Sequence, residues 1–175
     1  KMIIGDINDN QKLVKSIKGS SIVYNFAGLA DIDESKDNPI ETVKQNILGN
    51  SRIIEESINQ KVKRFVLASS MYVYSKEGSF YRCSKKSCEM YLEEYAKLYG
   101  LKYTILRYGS LYGPRSNIKN GLYSFIFNSM KKNKLFYEGN LNAIREYIHV
   151  LDATNLSVSI LDKKYENKKI ILTGN

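Results

Sequence analysis

The sequence has few of the residues that build cross-links and metal centres: its 175 residues include two cysteines and one histidine. Cys83 and Cys88 lie five positions apart within a helical pattern, which suits neither a zinc site nor a disulfide inside one helix. We therefore interpret both cysteines as reduced packing residues. The sequence predicts no metal site and no disulfide framework of the kind found in small secreted domains.

Long apolar runs are also lacking. No stretch of 18 apolar residues occurs, and the first residues do not follow the basic, apolar and small-residue order of a secretory signal. With 43% hydrophobic and 26% charged residues, the composition is that of a globular domain large enough to bury one core. These features predict a cytoplasmic protein with no membrane partner.

Acidic residues are outnumbered, because 27 lysines and arginines against 18 aspartates and glutamates give a net charge of +9. This excess permits an anionic partner, such as nucleic acid, lipid or a phosphate-bearing small molecule. Proteins that bind nucleic acid usually have basic and aromatic residues clustered on one face. The lysines of this sequence are scattered, and they adjoin one another only in pairs. We expect a solvated basic surface and no nucleic-acid partner.

Short apolar runs alternate with longer helical patterns. Residues 22–27, 65–68 and 103–106 are nearly continuous apolar runs, typical of buried parallel strands. Asn38 as N-cap and Pro39 at the first helical position predict a helix that ends near residue 59. Strands alternating with crossover helices predict an α/β fold with a doubly wound parallel sheet. The buried face of this helix should hold its regularly spaced aliphatic residues, Ile40, Val43, Ile47, Ile54 and Ile58.

The pattern changes after Pro114. It predicts a helix at 122–132, a strand at 135–137, a helix capped by Asp152 and a last strand from residue 170. We therefore divide the chain into a sheet domain at 1–115 and a mixed segment at 116–175. The mixed segment would combine part of a smaller lobe with elements that return to the sheet.

A helix predicted at residues 81–98 carries a lysine on its apolar face. At about 100° per residue, one stripe holds Tyr81, Lys85, Cys88, Leu92 and Tyr95. The remaining charged residues define the predicted solvent face, which holds Arg82, Lys86, Glu89, Glu93, Glu94 and Lys97. Because an unpaired buried ammonium is costly, Lys85 indicates a functional requirement.

Tyr81 and Lys85 lie one helical turn apart and place a phenol and an ammonium on one face. A free tyrosine has a pKa of about 10, and a nearby cation lowers it towards neutrality, where the phenol becomes a usable base. Ser70 follows an apolar strand, and ligands bind at the carboxyl ends of strands in open α/β sheets. The sequence therefore predicts that Tyr81 exchanges a proton with an alcohol held by Ser70.

Residues 65–74, followed by Tyr81 and Lys85, resemble the extended short-chain dehydrogenase/reductase family, and among its branches the NAD-dependent epimerases/dehydratases that act as nucleotide-sugar 4-epimerases. Further matches occur in order along nearly the whole chain, at residues 5–7, 25–29, 46–49, 106–115 and 145–150. The resemblance implies a Rossmann-like fold with part of a smaller substrate-binding lobe.

The resemblance implies that Tyr81 is the catalytic acid/base, Lys85 its activator and a ribose ligand, and Ser70 the partner of the substrate hydroxyl. The implied cofactor is NAD, with NADP as the alternative. Asp6 and Ile7 would contact the adenine. The implied cofactor-binding residues are Asp6, Ile7, Phe26, Ala27, Gly28, Asn46, Tyr81 and Lys85.

The implied substrate is a nucleotide-diphosphate sugar, with Arg145 on the diphosphate, Ser110 near the sugar and His149 in a structural turn. Removal of hydride to give a keto-sugar, followed by its return, would make the chain an epimerase. A reductase or dehydrogenase of the same family, or a non-catalytic nucleotide-binding member, remains the alternative. Dehydration is disfavoured because the family's dehydratases carry an aspartate and a glutamate where this chain has Met71 and Tyr72.

The family's glycine-rich turn, which holds the cofactor pyrophosphate at a helix N-terminus, is not found before Gly5. We therefore expect an N-terminally truncated chain that lacks the first βαβ unit and binds cofactor poorly by itself. Relatives commonly dimerise through the helices that correspond to residues 40–59 and 81–98. The resemblance thus implies a homodimer.

Overall fold

A four-stranded parallel sheet forms the centre of the protein in a computed structural model that describes residues 2–135, 137, 142 and 144–174. Its strands lie in the order β1-β2-β3-β6. They are β1 (Ile22–Asn25), β2 (Arg64–Ser70), β3 (Tyr103–Tyr108) and β6 (Lys168–Leu172). A second, two-stranded parallel sheet consists of β4 (Ser110–Tyr112) and β5 (Tyr147–His149).

Helices connect the strands and cover both faces of the larger sheet. They are α1 (Asn10–Ile17), α2 (Ile32–Asp37), α3 (Pro39–Thr42), α4 (Gly49–Asn59), α5 (Ser79–Tyr99), α6 (Gly121–Lys132) and α7 (Val150–Ser159). A π-helical segment (Val43–Leu48) joins α3 to α4, and two 3₁₀ turns lie at Met71–Tyr74 and Lys163–Tyr165. None of the helices in the described part of the chain is long and apolar enough to cross a bilayer.

Alternate side chains of the central strands enter two separate cores. Phe65 and Leu67 of β2 join the first core, which contains residues of α1, α4 and α5. Val66 lies between them in sequence and joins the second core, against Ala153 of α7. Because successive side chains of a strand point to opposite faces, helices pack on both sides of the sheet. The predicted doubly wound parallel sheet is confirmed.

The predicted long helix at 38–59 differs from the observed structure. In the structure this stretch consists of three consecutive helical segments, α3, the π-helical segment and α4. Ile40 and Val43, which were expected to be buried, are 72% and 48% exposed. The π-helical segment changes the rotation of the chain, and the face turned inward at this point is polar. It consists of Thr42, Asn46 and Asn50, whose burial depends on hydrogen bonds that apolar periodicity does not reveal.

Three smaller expectations also need correction. Cys83 is exposed, so only Cys88 is a packing residue. The N-cap of α7 is His149, whose Nδ1 accepts a hydrogen bond from the amide of Leu151, while Asp152 is exposed within the first turn. The strand predicted at 135–137 falls partly outside the described residues, and Leu135 and Tyr137 are not in a strand.

Ile54 and Ile40 differ in exposure within the 38–59 segment, so alanine substitutions at the two positions should differ in their effect on stability. Ile54 is fully buried in the first core, so Ile54→Ala should lower the free energy of unfolding by about 2–5 kcal/mol. Ile40→Ala removes the same atoms from an exposed position and should change it by less than about 0.5 kcal/mol. Urea denaturation of both variants measures the difference, and equal losses would contradict the assigned burial.

Candidate active site

The predicted catalytic residues meet at the carboxyl end of β2. Ser70 is the last residue of β2 and caps the following 3₁₀ turn, because its hydroxyl accepts a hydrogen bond from the amide of Tyr72 at 3.2 Å. Tyr81 lies in the first turns of α5 and Lys85 one turn later, and both side chains are buried. The fold therefore brings Ser70, Tyr81 and Lys85 to one place.

The ammonium of Lys85 is held by the strand beside it. Its Nζ donates to the carbonyl oxygen of Ala68 at 2.9 Å and lies 5.8 Å from the centroid of the Tyr81 ring. The side chain is 8% exposed. A cation is thus fixed between the end of β2 and the phenol, as the helical spacing of the two residues requires.

Burial dominates the electrostatics of this pair. It raises the pKa of Tyr81 above its ordinary value, although an interaction with the hydroxyl of Ser70 opposes the shift. It also lowers the pKa of Lys85. The expectation that the pKa of Tyr81 lies below its ordinary value is therefore not met in the protein by itself, because desolvation disfavours the phenolate.

Two clefts open beside Tyr81, and their linings have five residues in common, Ala30, Ser70, Tyr81, Tyr108 and Gly109. The larger, about 650 Å³, is mainly apolar and is lined also by Phe26, Ala68, Lys85 and side chains of α7. The smaller, about 400 Å³, is lined also by Met71, Tyr72, Ser110 and Arg145. The shared residues therefore form a wall that can contact a molecule in each cleft.

The loop after β1 contributes Phe26 and Ala30 to the lining of the larger cleft. Phe26 is 60% exposed and its ring stacks on Tyr24. Gly28 has φ +140°, and a Cβ there would lie 2.6 Å from Oδ1 of Asn46. Asn46 holds this loop, because its Oδ1 accepts from the amide of Leu29 and its Nδ2 donates to the carbonyl of Leu29 and to Ser84. Glycine is required for this close approach.

The other predicted cofactor residues lie further from the wall. Oδ1 of Asp6 accepts a hydrogen bond from the amide of Asn8 at 2.7 Å, and this bond lowers the pKa of the exposed Asp6 carboxyl. Ile7 packs against the first core. The amide of Ala27 donates to the side chain of Asn25 at 3.0 Å. Among the described residues that line the two clefts, these three do not occur, and neither do Gly28 and Asn46.

The predicted substrate residues line the smaller cleft. Ser110 is half-buried, and its amide donates to the carbonyl of Glu146 at 2.9 Å. Nη1 of Arg145 donates to the hydroxyl of Tyr72 at 2.9 Å, and this bond raises the pKa of the guanidinium. Tyr72 was not expected to contribute, although its place two residues after Ser70 at a strand end was a usable signal.

Glu89 attaches α5 to the sheet and contradicts the predicted solvent face of that helix. Its side chain is 4% exposed, and its Oε1 accepts from the hydroxyl of Ser69 at 2.6 Å and from Nε of Arg107 at 3.0 Å. Its Oε2 forms an ion pair with Arg107 and lies 3.9 Å from Nζ of Lys169. Arg107 also donates to the hydroxyl of Tyr74. This network fixes Ser69 and Tyr74, on both sides of Ser70.

Within the described ranges, no group of three His, Cys, Asp or Glu side chains is arranged to hold a metal ion.

Comparisons with known proteins match this chain to nucleotide-sugar epimerases and dehydratases. The sequence model of the NAD dependent epimerase/dehydratase family matches residues 1–174. The UDP-glucose 4-epimerase of Yersinia enterocolitica is 31% identical over 192 residues, which cover 90% of this chain and 57% of that protein. The dTDP-glucose 4,6-dehydratase of Mycobacterium tuberculosis is 24% identical and is covered to 54%, with 93% of this chain aligned.

The fold is similar to that of a solved structure. A crystal structure of UDP-glucose 4-epimerase from Thermotoga maritima with UDP-glucose matches 97% of this chain at a TM-score of 0.87 and 27% identity, and 61% of that protein is covered. The chain thus spans 54–61% of the lengths of these three proteins.

The buried cation predicts a stabilising substitution. Because burial lowers the pKa of Lys85, its charged form is less stable in the folded than in the unfolded chain. Lys85→Met should therefore raise the free energy of unfolding by about 1 kcal/mol at pH 7. The gain should shrink as the pH rises through the folded pKa of Lys85 towards the unfolded value, where the lysine is neutral in both states.

Thermal and urea unfolding from pH 7 to 10 measure this effect. Lys86→Met is the matched control, because Lys86 is the exposed neighbour on the same helix and should show little change. A loss of stability in Lys85→Met would mean that the hydrogen bond to Ala68 outweighs the desolvation of the ammonium.

Proposed function

Because the chain belongs to the NAD dependent epimerase/dehydratase family, we propose that it carries the catalytic residues of a nucleotide-sugar 4-epimerase. The observation that carries this proposal is the shared wall, where Ser70 and Tyr81 face both clefts. One cleft contains the ammonium of Lys85 and the other the guanidinium of Arg145. This arrangement suits a cofactor and an anionic substrate that meet at one phenol.

The larger cleft fits a nicotinamide cofactor. Its apolar lining suits a flat ring, and the ammonium of Lys85 suits ribose hydroxyls. Gly28 allows the loop after β1 to pack closely on Asn46 beside this cleft. We assign NAD, with NADP as the alternative, to the family-predicted set: Asp6, Ile7, Phe26, Ala27, Gly28, Asn46, Tyr81 and Lys85. When bound, the cofactor would supply the acceptor and donor of hydride.

The chain's own residues would move the proton. Tyr81 would take the proton of a sugar hydroxyl as a phenolate and return it as a phenol, and Ser70 would hold the same hydroxyl. The hydroxyl of Ser70 already favours the phenolate, although burial raises the pKa of Tyr81. We assign Lys85 as the fixed cation that would stabilise the phenolate during the reaction, since charges interact more strongly where water is excluded.

The smaller cleft would take the nucleotide-diphosphate sugar. We assign Arg145 to the diphosphate, because a planar guanidinium makes bidentate contacts with phosphate, and Ser110 to the sugar. Relatives of this chain carry the names of epimerases and of dehydratases. Epimerisation is favoured here because Met71 and Tyr72 stand where the family's dehydratases carry an aspartate and a glutamate. The one carboxylate among the described residues that line this cleft, Glu146, lies in a different part of the chain, before β5.

Three further proposals rest on the family. The full protein would form a homodimer through α4 and α5, and apolar side chains on α5 such as Met90 and Leu98 are 63% and 64% exposed in this chain. It would work in the cytoplasm. The segment at 116–175 would contribute part of the substrate-binding lobe as well as β6, which returns to the central sheet.

The proton-transfer role of Tyr81 is tested in the full-length protein with NAD and a panel of UDP-, GDP-, CDP- and dTDP-sugars. Tyr81→Phe should lower kcat by about 10²–10⁴-fold, because the acid/base group is lost while the ring stays in place. NMR of the sugar products and nicotinamide absorbance measure the reaction. Tyr91→Phe, on the exposed side of the same helix, is the matched control and should leave kcat unchanged.

The products distinguish the alternatives. Epimerised sugar without net change in the cofactor supports the 4-epimerase. Stoichiometric cofactor turnover would replace it with a reductase or dehydrogenase. If cofactor binds tightly but no sugar on the panel changes, the non-catalytic nucleotide-binding alternative is correct.

A further inference from the structure

Tyr72 connects three of the predicted site residues. Its amide donates to the hydroxyl of Ser70 at 3.2 Å, and its ring packs edge-to-face on Tyr81 with 6.1 Å between centroids. Its own hydroxyl accepts a hydrogen bond from Nη1 of Arg145 at 2.9 Å. The side chain lines the smaller cleft and extends from the reacting phenol to the guanidinium.

The position of the Tyr72 ring is built into the start of α5. Gly78, the N-cap of α5, has φ +94°, and a Cβ there would lie 2.7 Å from Cδ1 of Tyr72. A glycine is therefore needed both for the backbone conformation and for the space that the ring occupies. With Tyr81 on one side and Gly78 on another, the ring is fixed before any ligand binds.

The side chain of Arg145 is less constrained by the fold than the ring of Tyr72. It is exposed and lies in a segment without regular structure just before β5. A long side chain in such a segment has many rotamers, and ordering it on binding lowers affinity. The bond to Tyr72 engages one of five guanidinium N–H groups, and bidentate contact with a phosphate requires two. The phenol can therefore orient the guanidinium without blocking such a contact.

We propose that Tyr72 is a positioning residue that orients Arg145 for the diphosphate of the nucleotide-sugar. The proposal rests on the proposed function, because that function assigns the diphosphate to Arg145. Tyr72 would act through Arg145 on substrate binding, and its edge-to-face contact with Tyr81 would set the distance between the diphosphate site and the reacting sugar hydroxyl. The proposal predicts that loss of the Tyr72 hydroxyl raises KM and weakens nucleotide binding, with little effect on kcat.

Calorimetric titration of uridine diphosphate tests the proposal without requiring catalysis. Tyr72→Phe keeps the ring on Gly78 and Tyr81 but removes the hydroxyl, and should weaken binding by about 2- to 10-fold. The same substitution in an Arg145→Ala background should have no effect, because the group it positions is gone. Tyr91→Phe is the control for loss of a tyrosine hydroxyl elsewhere on the surface.

Each outcome is decisive. Weakening in the wild-type background that disappears with Arg145→Ala, together with a raised KM and an unchanged kcat for the nucleotide-sugar, supports the proposal. Unchanged or tighter binding by Tyr72→Phe, or equal weakening in both backgrounds, overturns it and leaves the proposed function intact. If the wild-type protein binds none of the uridine, guanosine, cytidine and thymidine diphosphates, the nucleotide-sugar function and this proposal both fail.

Discussion

A single buried carboxylate, that of Glu89, holds α5 against three neighbouring strands. It accepts a hydrogen bond from Ser69 of β2, forms an ion pair with Arg107 of β3 and lies near Lys169 of β6. Removing one partner of such a buried network leaves an uncompensated charge, which is costly. Because Glu89 lies one turn after Lys85 and two turns after Tyr81, the same contacts fix where those two side chains meet the end of β2. The geometry of the site depends on them.

The sequence could not reveal Glu89 by residue type. At about 100° per residue, it lies near the edge of the apolar stripe of α5 rather than opposite to it, but a glutamate was expected to face water. Its burial becomes understandable only from β3 and β6, whose cations approach from distant parts of the chain. Local periodicity predicted the limits of α5 well, whereas long-range charge pairing decided which of its charged residues is buried.

A similar distinction applies to the rest of the chain. The central strands and their parallel pairing were predictable, because uninterrupted apolar runs require burial on both faces. The π-helical segment at Val43–Leu48 was not, since it depends on Asn46 bonding to the loop after β1 and to Ser84 of α5. The second sheet was missed as well, because β4 and β5 have three residues each and too little alternation to detect. The motif around Tyr81 and Lys85 was recognisable because its spacing is local.

The positions of the clefts separate what the fold determines from what single residues determine. Ser70, Tyr81 and Lys85 depend on β2 and α5, so the capacity for proton exchange with an alcohol would follow from the architecture. Under the proposed function, the course of the reaction after that step would depend on what lines the smaller cleft. Here Met71 and Tyr72 occupy the 3₁₀ turn after Ser70, and neither can serve as the carboxylic acid or carboxylate base of an elimination at neutral pH. Under the proposed function, the choice between epimerisation and elimination would therefore be made by residues of this turn, which lie outside the sheet, α5 and the Glu89 network.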